Sequence, residues 1–141
     1  MVFLFCNFSN VMKHLVMMEI KNSVSVVLDL DDSFSPNTVS EFVNKLPFTV
    51  NLNVWGDEIY TSESPISQSE ENAKSSVSLN DVAYWPRGKA VCLFYGPTPL
   101  SDSEKIVPAS PVNVLGKILS PDKEILKSAD GKEATFKLAN S

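Results

Sequence analysis

Short apolar runs separated by turn-forming residues constrain this chain more than any other feature. The clearest is FTVNLNVW (Phe48 to Trp55), where Phe48, Val50, Leu52 and Val54 alternate with Thr49, Asn51, Asn53 and Trp55. A period of two places these sets on opposite faces of an extended strand. Met18 to Lys21 and Val24 to Leu30 form a similar pair around an Asn22-Ser23 turn. Gly56-Asp57 turns Phe48–Trp55 toward Glu58 to Tyr60. Val77 to Leu79, Val82 to Trp85, Ala90 to Tyr95, Val112 to Leu119 and Ala134 to Leu138 complete the strands, with tight turns at Pro86-Arg87-Gly88 and Asp130-Gly131. Helical spacing is confined to two short segments. Ser35-Pro36 reads as N-cap and first helical residue of a helix carrying Val39, Phe42, Val43 and Leu46 and closed by Pro47; Asp122 to Ser128 is the other. Ser62 to Ser76, rich in Ser, Glu and Asn, has no periodicity and reads as an exposed loop. Many short strands with few helices predict one all-β domain, a closed or nearly closed barrel in which the first helix acts as a plug.

The charge balance narrows the partners. A net charge of −5 and a pI near 4.8 disfavour nucleic acid and an anionic membrane surface, both of which call for a basic face. The one histidine, His14, and two cysteines, Cys6 and Cys92, offer no metal-ligand spacing, so neither metal nor cofactor is expected. Cys92 lies inside AVCLFY and reads as a buried thiol acting as a small hydrophobe; a disulfide to Cys6 is the other possibility. The run Val2 to Cys6 is too short for a signal-peptide core or a membrane span and lacks basic residues before it, which makes the cytoplasm the default location. Met17 and Met18 directly precede EIKNSVSVVLDL. Residues 1–17 therefore read as an extension outside the domain, from a start placed too early or as an extra strand or hydrophobic tail. The domain is expected over 18–141.

Function points to Asp81–Gly116. Its polar loop carries Pro97, Pro99, Pro108 and Pro111 between apolar strands, too rigid for a tether and too polar for core, which suits the wall of a binding groove. Glu58 and Tyr60, two residues apart on a strand, share a face, and Glu58 could anchor a cationic or amide ligand there or be a solvated turn carboxylate. Asp57 reads as a turn former. Trp55, Tyr84, Trp85, Phe94 and Tyr95 gather near strand ends. Most serve as core or lid packing, and Tyr84 and Tyr95 have the polar tips suited to a wet pocket. Thr98, Ser110 and Asn113 bind ligand or fix the loop. With no histidine in 18–141, a Ser-His-Asp triad is excluded, and no lysine has the spacing of a base for a serine nucleophile. The candidate ligand-binding set is Glu58, Tyr60, Tyr84, Phe94, Thr98, Ser110 and Asn113; no catalytic residue is assigned.

VWGDEIY (Val54 to Tyr60), DVAYWPRGKAVCLFYGPTP (Asp81 to Pro99) and PASPVNVLGKI (Pro108 to Ile118) closely resemble a family of small prokaryotic cyclophilin-like proteins, in order and spacing. The resemblance runs from about Met18 to the C-terminus. It implies a closed eight-stranded antiparallel β-barrel capped by two short helices. VNVLGKIL (Val112 to Leu119) is also similar to the V-V-F-G-K-V strand of prolyl isomerases. Those enzymes use an arginine near the prolyl nitrogen to stabilise the twisted amide against a barrier of about 18–20 kcal/mol. Here the single arginine, Arg87, sits in the Pro-Arg-Gly turn where relatives commonly carry proline, and Val112 stands where isomerases have a histidine. The resemblance thus implies a binding module for a small polar ligand or an extended peptide. Its alternatives are a weak peptidyl-prolyl isomerase and a subunit related to enzymes acting on small amides such as 5-oxoproline or allophanate. Oligomeric state is not specified.

Overall fold

In the computed structural model, which describes residues 12–139, the strands close into a barrel of order β1-β2-β7-β5-β6-β4-β3-β8, with β8 returning to pair with β1. The elements are β1 (Lys13–Ile20), β2 (Ser25–Asp31), α1 (Pro36–Lys45), β3 (Phe48–Trp55), β4 (Glu58–Thr61), β5 (Asp81–Trp85), β6 (Ala90–Phe94), β7 (Asn113–Leu119), α2 (Lys123–Lys127) and β8 (Glu133–Leu138). Every pairing is antiparallel. Alternation supplies the core: Met18, Leu28, Leu30, Leu52, Ile59, Leu93 and Phe136 are fully buried inside the barrel. Closure gives each of the eight described strands a neighbour on both sides.

Three expectations are corrected. First, β1 begins at Lys13, so 13–17 belong to the barrel wall, upstream of the boundary placed at Met18. Its pairing with β2 carries the alternation back past Met17, with His14 opposite Leu30 and Val16 buried. A histidine therefore does lie within the barrel; residues 1–11, including Cys6, lie outside the described residues. Second, Val77 to Leu79 is not a strand, because only Val77 pairs, in an isolated bridge with Ile106. Third, the loop 62–76 is not simply exposed. Ile66 is fully buried, Lys74 bridges Val112, and the loop supplies the missing helix cap.

That cap differs from the one expected. Ser35 makes no side-chain bond to the first turn of α1. Glu71 does so instead: its carboxylate accepts from Asn37 N and Thr38 N, both at 2.9 Å, and from Thr38 Oγ1 at 2.7 Å. Partial burial works to raise the Glu71 carboxyl, but these bonds outweigh it and hold the group below the usual carboxylate range. Pro36 at the helix start and the buried Thr38, Val39 and Phe42 then seat the helix. Phe42 meets Phe48 and Phe136 edge-on at 5.5 and 5.8 Å, plugging the barrel beside the start of β3. At the far end of β3, α2 is capped by Asp122, which accepts from Glu124 N and Ile125 N. Glu71→Ala should lower stability by about 1–2 kcal/mol, the scale of a lost N-cap, measured by urea unfolding. An unchanged midpoint would show that α1 does not depend on this carboxylate.

Candidate functional site

The same alternation that fills the barrel dresses its outer surface. On β4, β5 and β6, Ile59, Val82, Tyr84, Val91 and Leu93 join the interior cluster, whereas Ala83, Cys92 and Phe94 form a second cluster with Val112, Tyr60 and Trp85 outside it. Register lines these outer residues into rows. Trp55 lies opposite Glu58 and Glu58 opposite Phe94; Tyr60 lies opposite Cys92 and Cys92 opposite Ala83. The segment between β6 and β7 lies over this patch and encloses a cleft of about 210 Å³. Glu58, Tyr60 and Cys92 come from the strands, Trp55 and Trp85 form walls, and Pro108, Ala109 and Val112 come from the covering segment.

The roof is fixed by its own polar groups. Thr98 Oγ1 donates to the Val107 carbonyl and accepts from Leu100 N. Ser101 Oγ accepts from both Thr98 N and Val107 N at 2.9 Å. Asp102 Oδ1 accepts from Glu104 N and Lys105 N, and these bonds lower its carboxyl below the usual range. The β3–β4 turn ties the other side: Asp57 N donates to Pro97 O, Tyr95 N donates to Asp57 O, and the Asp57 carboxylate pairs with Lys123 of α2 at 3.0 Å. Gly56, at φ +61°, turns with Pro97, Pro99 and Thr98 so close that a side chain would meet them at 2.7–3.0 Å.

Glu58 is the chemically distinctive member. It is 4% exposed, and its Oε1 has no hydrogen-bond partner among the described residues. Burial raises its pKa to about 7, with a partly offsetting hydrogen bond from the Cys92 thiol. A buried carboxyl with one oxygen left unsatisfied in an apolar setting is destabilising, so its position reflects something other than stability. Cys92 is buried and unpaired by any disulfide, and burial, followed by the Glu58 charge and hydrogen bond, pushes its thiol well above the ordinary range. A thiol held protonated is a poor nucleophile. Trp85 is positioned from two sides. Its Nε1 donates to Ser110 Oγ, and its ring lies across Gly88, where a Cβ would stand 2.4 Å from Cε3 and Cζ3.

The candidate set therefore divides. Glu58 and Tyr60 line the cleft, and Ser110 stands one step back, holding Trp85. Phe94 is fully buried beneath the outer patch and does not line the cleft. Thr98 fixes the roof. Tyr84 is a barrel-core residue: its hydroxyl donates to the Ile66 carbonyl at 2.7 Å. Tyr95 also points into the core, where its hydroxyl, without a partner among the described residues, is pushed up to about 12, chiefly by burial and then by Asp57 and Asp130. Asn113 is fully buried and committed to structure: Oδ1 accepts from Glu71 N, and Nδ2 donates to Thr38 Oγ1 and Ser69 O. Outside that set, Trp55, Trp85, Cys92, Pro108, Ala109 and Val112 also line the cleft. Extending the Glu58/Tyr60 face across the neighbouring strands would have found Trp55 and Cys92. His14 and Arg87 do not line it, and no group of three or more His, Cys, Asp or Glu that could hold a metal occurs among the described residues.

A closed antiparallel barrel with a covered cleft on its outer wall is the class of protein that these features define. The Cyclophilin-like family model matches residues 14–137, and the chain belongs to that family. The solution structure of the hypothetical protein AF2241 from Archaeoglobus fulgidus is similar, with 37% sequence identity and a TM-score of 0.77 over 93% of this chain and 98% of that one. No curated protein matches the chain.

Proposed function

We propose that this domain is a binding module whose outer-wall cleft takes the end of a small polar ligand or of an extended peptide, with Glu58 as the polar contact. The observation that carries this reading is the Glu58 carboxyl, nine-tenths or more buried, with an oxygen that no group among the described residues satisfies, in a cleft walled by aromatic rings. A bound molecule supplying a hydrogen bond relieves the cost of that oxygen, so binding is favoured at this point over the rest of the surface. The cleft is below the roughly 300–1,000 Å³ typical of pockets that bury a whole drug-sized ligand, which fits a head group whose remainder extends into solvent. A prolyl-isomerase role has less support: Arg87 is exposed in the turn between β5 and β6, away from the cleft lining.

Ala109 is exposed at the rim, so Ala109→Trp adds a ring to the mouth without entering the core. With a fragment set of small amides, amines and carboxylates, two-dimensional amide NMR should show shifts at the indole N–H of Trp55 and Trp85 and the amides of Glu58 and Cys92. In Ala109→Trp those shifts should fall at least tenfold while the thermal midpoint stays unchanged. Shifts centred elsewhere, or indifferent to Ala109→Trp, would refute the cleft as the binding site.

A further inference from the structure

Resting on the binding role just proposed, we infer that the cleft recognises an alkylammonium group, whose N–H donates to Glu58 Oε1 while its adjacent carbons lie against Trp55, Tyr60 and Trp85. Three observations lead there independently. Once ionised, the carboxyl presents an unpartnered oxygen that needs a donor, which excludes ligands without an N–H or O–H at that point. The walls around it are three aromatic side chains, whose faces attract a cation by about 0.5–2 kcal/mol each and give a neutral amide no such gain. Finally, no lysine or arginine lines the cleft, so the protein itself leaves the carboxyl uncompensated, and the overall charge of −5 favours approach of a cation. A carboxylate ligand meets repulsion from the ionised Glu58 that an ammonium requires. A quaternary ammonium satisfies the rings but has no hydrogen for the oxygen.

The surrounding groups leave Glu58 as the one that titrates with binding. Of the other cleft residues, only Tyr60 on β4 and Cys92 on β6 are titratable, and the Cys92 thiol is held protonated. Trp55 of β3 and the roof residues Pro108, Ala109 and Val112 carry no charge. The neighbouring Asp57 is neutralised by Lys123 and Lys127, and Asp81, beyond Phe94 in the same row, by Lys117 at 2.7 Å. An alkylammonium stays charged to about pH 10. Binding therefore requires Glu58 to lose its proton, and apparent affinity rises with pH across its pKa of about 7.

The chain's two tryptophans both line the cleft, so its intrinsic tryptophan fluorescence reports on this site alone. Propylammonium chloride, propionamide and tetramethylammonium chloride are titrated at millimolar concentrations at pH 6 and pH 8. The expected result is saturable binding of propylammonium, about tenfold tighter at pH 8 than at pH 6, with propionamide and tetramethylammonium weaker. Glu58→Gln should weaken propylammonium at least tenfold and flatten its pH dependence; should that variant not fold, the pH dependence of the parent protein carries the test. Nα-acetyl-lysinamide in place of propylammonium tells the source of the group: tighter binding points to a peptide lysine, weaker binding to a free amine. Propionamide binding equally well, with no pH dependence, overturns the ammonium assignment while leaving the cleft as a polar-ligand site. Tetramethylammonium matching propylammonium overturns the role of the Oε1 hydrogen bond. Silence with every probe overturns this inference and the binding role beneath it.

Discussion

Gly116→Ala should destabilise the barrel by about 4 kcal/mol, at the severe end for a single methyl group, and lower the melting temperature by more than about 10 °C. Gly116 sits in β7 opposite Leu30 of β2 on one side and Val82 of β5 on the other. A Cβ there would stand 2.0 Å from Asp29 O and 2.8 Å from Leu30 Cα, both backbone atoms that no rotamer change can move. The register against β5 slips at this point, between Val82 and Ala83, so the ladder is already irregular beside Gly116. Relieving the clash means separating β2 from β7, and β2 carries Leu28 and Leu30, both fully buried. Thermal unfolding followed by far-UV circular dichroism measures the effect. A melting temperature within 2–3 °C of the parent would show that β2 can shift without disturbing the core.

Glu58→Gln should act in the opposite direction at neutral and alkaline pH, raising stability by as much as about 3 kcal/mol at pH 8. In the folded protein the carboxyl keeps its proton up to about pH 7, whereas the unfolded chain releases it near the ordinary glutamate value of 4.5. Between these values the folded state binds more protons than the unfolded one, so the slope of unfolding free energy with pH is negative. The contribution of Glu58 is most favourable below about 4.5, falls as pH rises, and levels off above 7. Glutamine has nearly the shape of the protonated acid and no charge to desolvate. Urea unfolding of parent and variant should therefore coincide near pH 4 and diverge by pH 8. Subtracting the two curves removes the contributions of Glu71 and Asp102, whose lowered pKa values act at acid pH in both proteins. Parallel curves would mean that Glu58 is solvated. Read with the ligand titrations, a variant more stable yet unable to bind separates a functional carboxyl from a structural one.

The strands were legible because a period of two is written locally, and Phe48–Trp55 could be placed to the residue. Glu58 and Tyr60 were legible for the same reason. Chemistry that depends on partners far along the chain was not. Glu71 caps a helix more than thirty residues earlier, and Asn113 satisfies it across more than forty; neither pairing leaves a mark in local composition. Asn113 and Thr98 looked like ligand groups because polar side chains beside a rigid loop suit either role, and burial decided for structure. Tyr84 was misplaced by phase: one step along β5 separates the barrel interior, where it sits, from the outer face of Ala83 and Trp85. Trp85 was expected as packing, and its place in the cleft depends on Gly88 beneath the ring and Ser110 at its edge.

The phase difference between neighbouring side chains has a consequence for how such a domain can change. On β6 the positions of Val91 and Leu93 answer to the interior, and that of Cys92 answers to the cleft. Two separate sets of requirements are thus interleaved in one short segment. Substitutions at every second position can give the outer wall a new ligand while the barrel beneath keeps its packing, so recognition can diverge among copies of the fold without refolding it.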